Sequence, residues 1–219
     1  PVFDAKVLLQ SASNGSSEMV TNLSSGVTTL LFNLMMINYL GEDGVAAMTI
    51  VLYAQFLLIS IYLGFSSGAA PLISYSYGEQ NSNELKQLIR YSYGFILVAS
   101  ITTFILSFIL APSIIQIFTG DTGDVYQMTL DGFNLFSISF LTVGINTFAS
   151  AMFTAFSNGK ISVLISTMRT LVLVIIGITI LPLFLEVNGI WLTIPFAEII
   201  TLFISIFFTL RYRHQYQYA

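Results

Sequence analysis

The sequence predicts an all-α membrane protein built as a bundle of six transmembrane helices. Of its 219 residues, 55% are hydrophobic and 8% are charged, against about 25% charged in a soluble domain. Long uncharged stretches recur along the chain, and about 20 apolar residues are enough for a helix to cross a bilayer. These stretches cover residues 45–77, 91–120, 132–159 and 170–185, with a fifth at 189–210 that is interrupted only by Glu198.

The first predicted span, residues 13–39, is the least apolar, because polar side chains interrupt its leucines and valines. The other five are predicted at 45–71, 91–118, 130–157, 161–185 and 189–210. Helices are expected because backbone groups in lipid must be hydrogen-bonded within the chain, and a barrel would show alternating segments of about ten residues instead. Residues 1–12 are expected to precede the bundle and residues 211–219 to follow it as a tail.

The basic residues give the expected orientation. All seven lie in alternate connections, at the two ends, or nearest that same side: Lys6, Lys86, Arg90, Lys160, Arg169, Arg211 and Arg213. Loops rich in Lys and Arg stay in the cytoplasm, so both ends of the chain are predicted to be cytoplasmic. Arg169 lies within the fifth span, and we expect its long side chain to snorkel to the cytoplasmic interface.

The composition argues against several classes of site. The chain has no cysteine and one histidine, His214, so a thiolate or histidine metal centre and a cysteine nucleophile are not expected. No spacing of nucleophile and base indicates an enzyme. We therefore expect no catalytic residue, no metal, no cofactor apart from a coupling H⁺ or Na⁺, and no nucleic-acid partner.

A polar stripe follows the first predicted helix. Glu18, Asn22, Thr29 and Asn33 recur at steps of four, seven and four residues, which places them near one face. A carboxylate costs about 2.5–3.5 kcal/mol at the centre of a membrane helix, so the stripe should face protein or water. A dry hydrogen-bonded seam is the alternative. Because such seams rarely need a glutamate, the pattern favours a water-accessible cavity lined by Thr29 and Asn33.

Two further acids lie in or beside predicted spans. Asp131 is at the outer end of the fourth span, where it is either functional or simply solvated near a helix N-terminus; Asn134 and Asn146 follow it as candidate cavity residues. Glu198 lies near the middle of the last span, three residues after Pro195, which should kink the helix. It is a candidate for ion coupling, or it forms a structural pair with Arg169.

Gly64 and Gly68 form a G-x-x-x-G step in the second predicted span, which predicts close helix packing.

Three stretches carry a family resemblance. Residues 41–88 contain G-x-x-x-V-A-A, small residues and P-L-I-S-Y-x-Y-G before a polar loop, and residues 156–175 and 189–202 add FSNGKISVLISTMRTLVLVI and GIWLTIPFAEIITL. Together they resemble the C-terminal half of multidrug and toxic compound extrusion (MATE) transporters. The resemblance implies one six-helix lobe of a two-lobe, twelve-helix transporter, with residues 1–12 between the lobes and an N-terminal lobe as partner. The acids used in that family's seventh and tenth helices match Glu18 and, more loosely, Asp131.

The leading hypothesis is the C-terminal lobe of a cation-coupled antiporter that exports organic cations or drugs across a bacterial plasma membrane. Glu18 would hold H⁺ or Na⁺ in one state and help to bind the organic cation in another. A lipid-linked saccharide flippase is the closest alternative, but it would need several basic residues to hold pyrophosphate, and the spans offer only Arg169. A non-transporting membrane scaffold is a third possibility, which the costly buried charge of Glu198 disfavours.

Overall fold

The structure is a computed structural model that describes residues 5–120 and 122–218, apart from the side chains of residues 6, 7, 10, 13, 14 and 17. Residues 1–4, the start of the predicted segment between the lobes, therefore lie outside the described residues. The described part contains helices and turns and no strand. This confirms the all-α prediction.

The described residues form seven α-helices that follow one another in sequence. They are α1 (Ala5–Gly78), α2 (Ser82–Thr119), α3 (Asp124–Phe136), α4 (Phe140–Ala155), α5 (Gly159–Thr167), α6 (Leu173–Trp191) and α7 (Thr193–Tyr212). A 3₁₀ turn, Ser137–Ser139, joins α3 to α4, and a π-helical turn, Met168–Val172, joins α5 to α6. Both pairs therefore form nearly continuous rods that change their winding near the middle.

Two of the helices contain a sharp break. α1 breaks at Gly41, whose φ of 68° and ψ of −155° suit glycine almost alone. This divides α1 into a first arm (residues 5–40) and a second arm (residues 42–78). α6 breaks at Glu186, which has a φ of 50°. Both breaks coincide with connections that the charge pattern placed between spans.

The helices are long and apolar enough to cross a membrane repeatedly. Five helical stretches in the described part meet that requirement, and the first of them, Glu18–Gly78, has 61 residues. At 1.5 Å per residue it is about 90 Å long, whereas the hydrocarbon core of a bilayer is about 30 Å thick. Because Gly41 divides this stretch, its two arms have the length for two crossings, and the described chain has the length for six.

α4 is the central helix of the bundle. Eleven of its 16 residues are buried, and it packs against α1, α2, α5 and α7.

Glycines allow close contacts between helices at two places. Gly144 lets Tyr62 approach, because an added Cβ would lie 2.8 Å from the tyrosine ring. Gly132, on α3, holds Trp191 in the same way, at 2.3 Å. Close packing therefore occurs at these glycines, while Gly64 and Gly68 have no atom within 4 Å of an added Cβ, against the packing expected there.

The described part of the tail, residues 213–218, folds back on the bundle. Tyr216 stacks on Phe156 with ring centroids 4.4 Å apart, and its hydroxyl accepts a hydrogen bond from Asn158 Nδ2 at 2.8 Å. Ser82 Oγ donates to Gln217 Oε1 at 2.7 Å. The tail thus holds the connection before α2 and the connection before α5 together.

Candidate functional site

An open groove of about 530 Å³ runs along one side of the bundle. It lies between the two arms of α1, the C-terminal half of α4 and the segment from α5 to the π turn. Its lining is rich in hydroxyl groups, with two charged side chains among the described residues. The polar lining consists of Glu18, Thr21, Ser66, Ser67, Ser74, Thr147, Ser150, Thr154, Ser166 and Arg169.

Glu18 lies on the first arm of α1, at the edge of this groove. Its side chain is exposed, so no other helix among the described residues covers its carboxylate. Ser66 Oγ, on the second arm, is buried and has no hydrogen-bond partner among the described residues. The groove therefore combines an exposed negative charge with polar groups that can take a ligand.

The rest of the predicted polar stripe diverges from the groove. Asn22 and Thr29 are exposed, and Thr29 Oγ1 donates to Ser25 O within its own helix at 2.9 Å. Asn33 is half-buried, and its Oδ1 has no partner among the described residues. None of these three is among the described residues that line the groove. The four positions stay near one face, because a step of seven residues turns a helix by only about 20°. Thr29 and Asn33 are separated from the groove mainly along the helix, since they lie about 16 and 22 Å from the level of Glu18.

Behind the groove lies a buried polar network that joins α4, α7 and the π turn. Asn146 Nδ2 donates to Glu198 Oε2 at 2.7 Å and to the Glu198 carbonyl at 2.9 Å. Ser205 Oγ donates to Asn146 Oδ1 at 2.9 Å. Arg169 Nε lies 3.6 Å from Glu198 Oε1, and Arg169 Nη1 donates to Thr147 Oγ1. Two of the predicted candidates, Asn146 and Glu198, are thus in direct contact.

The snorkelling expected of Arg169 is wrong. Its side chain is 12% exposed and turns inward to Glu198 and Thr147. Glu198 is 5% exposed. Leaving so deeply buried a carboxylate without a counter-charge would cost more free energy than keeping Arg169 away from the membrane interface.

The kink expected at Pro195 lies three residues earlier, at Leu192, where α6 ends and α7 begins. Pro195 therefore lies in the first turn of α7, where a missing backbone donor does little harm.

Four hydroxyl groups form a cluster in the wall of the groove, and three of them line it. Ser150 Oγ lies 2.9 Å from both Ser162 Oγ and Ser166 Oγ, and Thr154 Oγ1 lies 2.7 Å from Ser162 Oγ. Sequence reasoning did not identify Ser162 or Ser166. The available signal was the matched spacing of four residues in both pairs, Ser150 with Thr154 and Ser162 with Ser166, on helices joined by a short turn.

The acid at the outer end of the fourth predicted span lies apart from these groups. Asp131 is exposed on α3 and Asn134 is half-buried, and neither is among the described residues that line the groove. The described residues also contain no group of three His, Asp or Glu side chains that could hold a metal ion. Within the groove, Glu18 is the one carboxylate among the described lining residues, and hydroxyl groups supply most of the other polar atoms.

Comparison with known proteins gives a consistent result. The MatE family model matches residues 18–180. A solved structure of MATE in the bent conformation matches with a TM-score of 0.90 and 19% identity, over 99% of this chain and 48% of that one. The outward-facing conformation of a multidrug resistance MATE family transporter of the MOP superfamily matches with a TM-score of 0.89 and 18% identity, over 100% and 49%.

A third match is a MOP superfamily transporter from Pyrococcus furiosus Vc1, for which a reverse polarity of the binding pocket suggests a different function. Its TM-score is 0.87 at 18% identity, over 99% of this chain and 49% of that chain. The search among curated proteins found no match. The chain spans about half the length of the solved transporters that it matches.

Proposed function

Because the chain belongs to the MATE family of transporters, we propose that it forms the C-terminal lobe of a cation-driven multidrug antiporter in a bacterial plasma membrane. A second, N-terminal lobe of the same protein would close the groove into a central cavity. The transporter would exchange an organic cation for H⁺ or Na⁺ as the two lobes rock against each other.

The observation that carries the proposal is the open groove with Glu18 at its edge. A groove of about 530 Å³ is within the range of small-molecule sites, which is about 300–1,000 Å³. One wall is missing within this chain, as expected if another lobe supplies it. A carboxylate beside hydroxyl groups in a water-filled membrane cavity marks an ion or substrate pathway.

In this mechanism Glu18 carries the exchange. Its exposed carboxylate holds H⁺ or Na⁺ when the cavity is open to one side of the membrane, and an organic cation when it is open to the other. The two ligands compete for one negative charge, so both cannot be bound at once, and that exclusion couples their movements. The hydroxyl groups of Ser66, Ser150 and Ser166 offer oxygen atoms to either ligand.

A lipid-linked saccharide flippase fits the groove less well. Such a protein must hold a pyrophosphate, which calls for several basic side chains. Among the described residues that line the groove, Arg169 alone is basic, and Glu198 already offsets part of its charge. A non-transporting scaffold would have no use for an exposed carboxylate in such a groove.

The test is transport by the full-length protein reconstituted in lipid vesicles. Glu18→Gln should abolish the efflux of tetraphenylphosphonium driven by a pH or Na⁺ gradient, while the protein still inserts in normal amounts. Glu42→Gln is the matched control, because Glu42 is an exposed acid on the same helix, beside the break at Gly41. Unchanged efflux by Glu18→Gln would overturn the assignment, and efflux driven by only one of the two gradients would identify the coupling ion.

A further inference from the structure

Arg169 is the one basic side chain among the described residues that line the groove, and an antiporter for cations has no evident need of it there. Positive charge in the groove repels both proposed ligands. The guanidinium is also not fully occupied by its carboxylate partner. Arg169 Nε lies 3.6 Å from Glu198 Oε1. A charge-assisted hydrogen bond between such groups is shorter, at about 2.7–2.9 Å.

The π turn places this guanidinium between the groove and the buried network. Arg169 lies within the turn Met168–Val172, and such turns inside helices frequently occur at functional sites. The Thr170 carbonyl accepts a hydrogen bond at 3.0 Å from Thr28 Oγ1 on the first arm of α1. The turn is therefore tied to the arm that carries Glu18, while its arginine is tied to α4 and α7.

The charges of this region can be counted. Glu18 and Arg169 line the groove, and Glu198 lies directly behind it, in contact with Arg169. Their formal charges of −1, +1 and −1 sum to −1. The network holds Glu198 in place independently of the arginine, because Asn146 donates to its carboxylate and to its carbonyl. Arg169 therefore offsets one of two negative charges without being the only group that positions Glu198.

We propose that Arg169 is the charge-selectivity residue of the groove, setting its net charge at −1 so that it accepts one monovalent cation and discriminates against dications. This inference rests on the proposed function, because it concerns what the same groove transports. Electrostatic attraction scales with the charge of the ligand. Adding one negative charge to the groove therefore strengthens the binding of a dication more than the binding of a monocation. Removing one negative charge weakens the binding of the dication more than the binding of the monocation.

The argument predicts opposite effects for the two members of the ion pair. Arg169→Gln takes the net charge to −2 and should raise the preference for a dication over a monocation on the order of tenfold. Glu198→Gln takes it to zero and should lower the same ratio by a similar factor, with weaker transport of both cations. Arg169→Gln/Glu198→Gln returns the charge to −1 and should restore the ratio of the wild type. Arg169→Lys keeps the charge and should keep the ratio.

The experiment uses the full-length transporter in lipid vesicles and measures kcat/KM for tetraphenylphosphonium, a monocation, and for methyl viologen, a dication. Each single variant leaves one charge of the buried pair without its partner, so the double variant is compared with whichever single variant accumulates in the membrane. Recovery of the wild-type ratio by the double variant, relative to that single variant, is the decisive result. Ratios that shift in the same direction in both single variants, or a double variant that keeps the ratio of Glu198→Gln, would overturn the inference.

The failure of this inference is distinguishable from failure of the proposed function. A wild-type protein that moves neither cation under a pH or Na⁺ gradient would contradict the transporter assignment itself. A wild-type protein that moves tetraphenylphosphonium, together with single variants that do not shift the ratio in opposite directions, would contradict only the role of Arg169. In that case the ion pair would have a structural role, with no influence on which charge the groove accepts.

Discussion

Glu18 and Glu198, the two glutamates within the predicted spans, lie in opposite environments. Glu18 is exposed on the first arm of α1, beside an open groove. Glu198 is 5% exposed and is held by Asn146 and Arg169. A carboxylate with fixed partners is suited to holding helices in place, whereas one that faces water is suited to exchanging ligands. We therefore expect the same residue type to have two roles, one in packing and one in exchange, according to its surroundings.

The largest effect should separate the two acids by stability. Glu198→Ala leaves the Arg169 guanidinium buried without its counter-charge, and we expect a loss of about 3–5 kcal/mol. Glu18→Gln should change the free energy of unfolding by no more than about 0.5 kcal/mol, because the side chain is exposed. Unfolding monitored in detergent micelles measures both. Equal losses of unfolding free energy in the two variants would contradict the view that only Glu198 stabilises the fold.

A second effect compares the packed side of the bundle with the open side. Gly132→Ala places a methyl group 2.3 Å from the Trp191 ring, and overpacking of this kind costs about 1–3 kcal/mol. Gly64→Ala is the matched control on the second arm of α1, where nothing lies within 4 Å; it should be neutral or slightly stabilising. Thermal unfolding of both variants tests the contrast, which would be contradicted if Gly64→Ala were the more harmful.

A smaller effect concerns the hydroxyl cluster that joins α4 to α5 in the wall of the groove. Ser162 is fully buried and bonds to Ser150 and Thr154. Ser162→Ala leaves those hydroxyl groups without this partner and should cost about 1 kcal/mol, with a small change in transport. Ser60→Ala is a control of the same residue type, because Ser60 is exposed and its hydroxyl bonds to Leu57 O within its own helix. A severe loss of transport in Ser162→Ala at normal stability would show that Ser162 acts in transport and not only in packing.

The smallest effect is a pH dependence at the tail. Burial raises the pKa of the Tyr216 phenol above its usual value, so the folded tail favours the neutral form. Its contribution to stability is therefore present below about pH 10, the ordinary pKa of tyrosine, and is lost as the pH rises further. The protection factors of the amides of residues 213–218, which correct for the base-catalysed rise of intrinsic exchange, should fall above that pH in the wild type. Tyr216→Phe, which keeps the ring but not the phenol, should weaken this fall without removing it, because burial also raises the pKa of the Tyr218 phenol in the same tail; an unchanged fall would refute the cause.

The sequence predicted the membrane helices well because their signals are local. The uncharged stretches and the turn around Gly41 follow from composition alone, and the helical structure confirms the fold class. Glu18 could be singled out for the same reason, since a carboxylate among apolar residues stands out within one helix.

Contacts between distant segments could not be predicted in this way. Arg169 was expected at the interface because nothing in its own helix shows that Thr147 and Glu198 lie beside it. The hydroxyl cluster was missed because a serine or threonine in a helix can also bond to its own backbone, so the sequence does not show which hydroxyl groups meet across helices. The G-x-x-x-G step at Gly64 predicted close packing, yet the tight approaches are at Gly132 and Gly144. In each case the partner is contributed by another helix.

The contrast between the two glutamates is tested most directly by chemical labelling. Full-length protein in native membranes would be treated with a hydrophobic carbodiimide, and labelled carboxylates would be located by mass spectrometry. The account predicts that Glu18 reacts, that tetraphenylphosphonium slows its reaction, and that Glu198 stays unlabelled. Rapid labelling of Glu198, or labelling of Glu18 that tetraphenylphosphonium does not slow, would contradict the view that Glu18 is the carboxylate that exchanges cations.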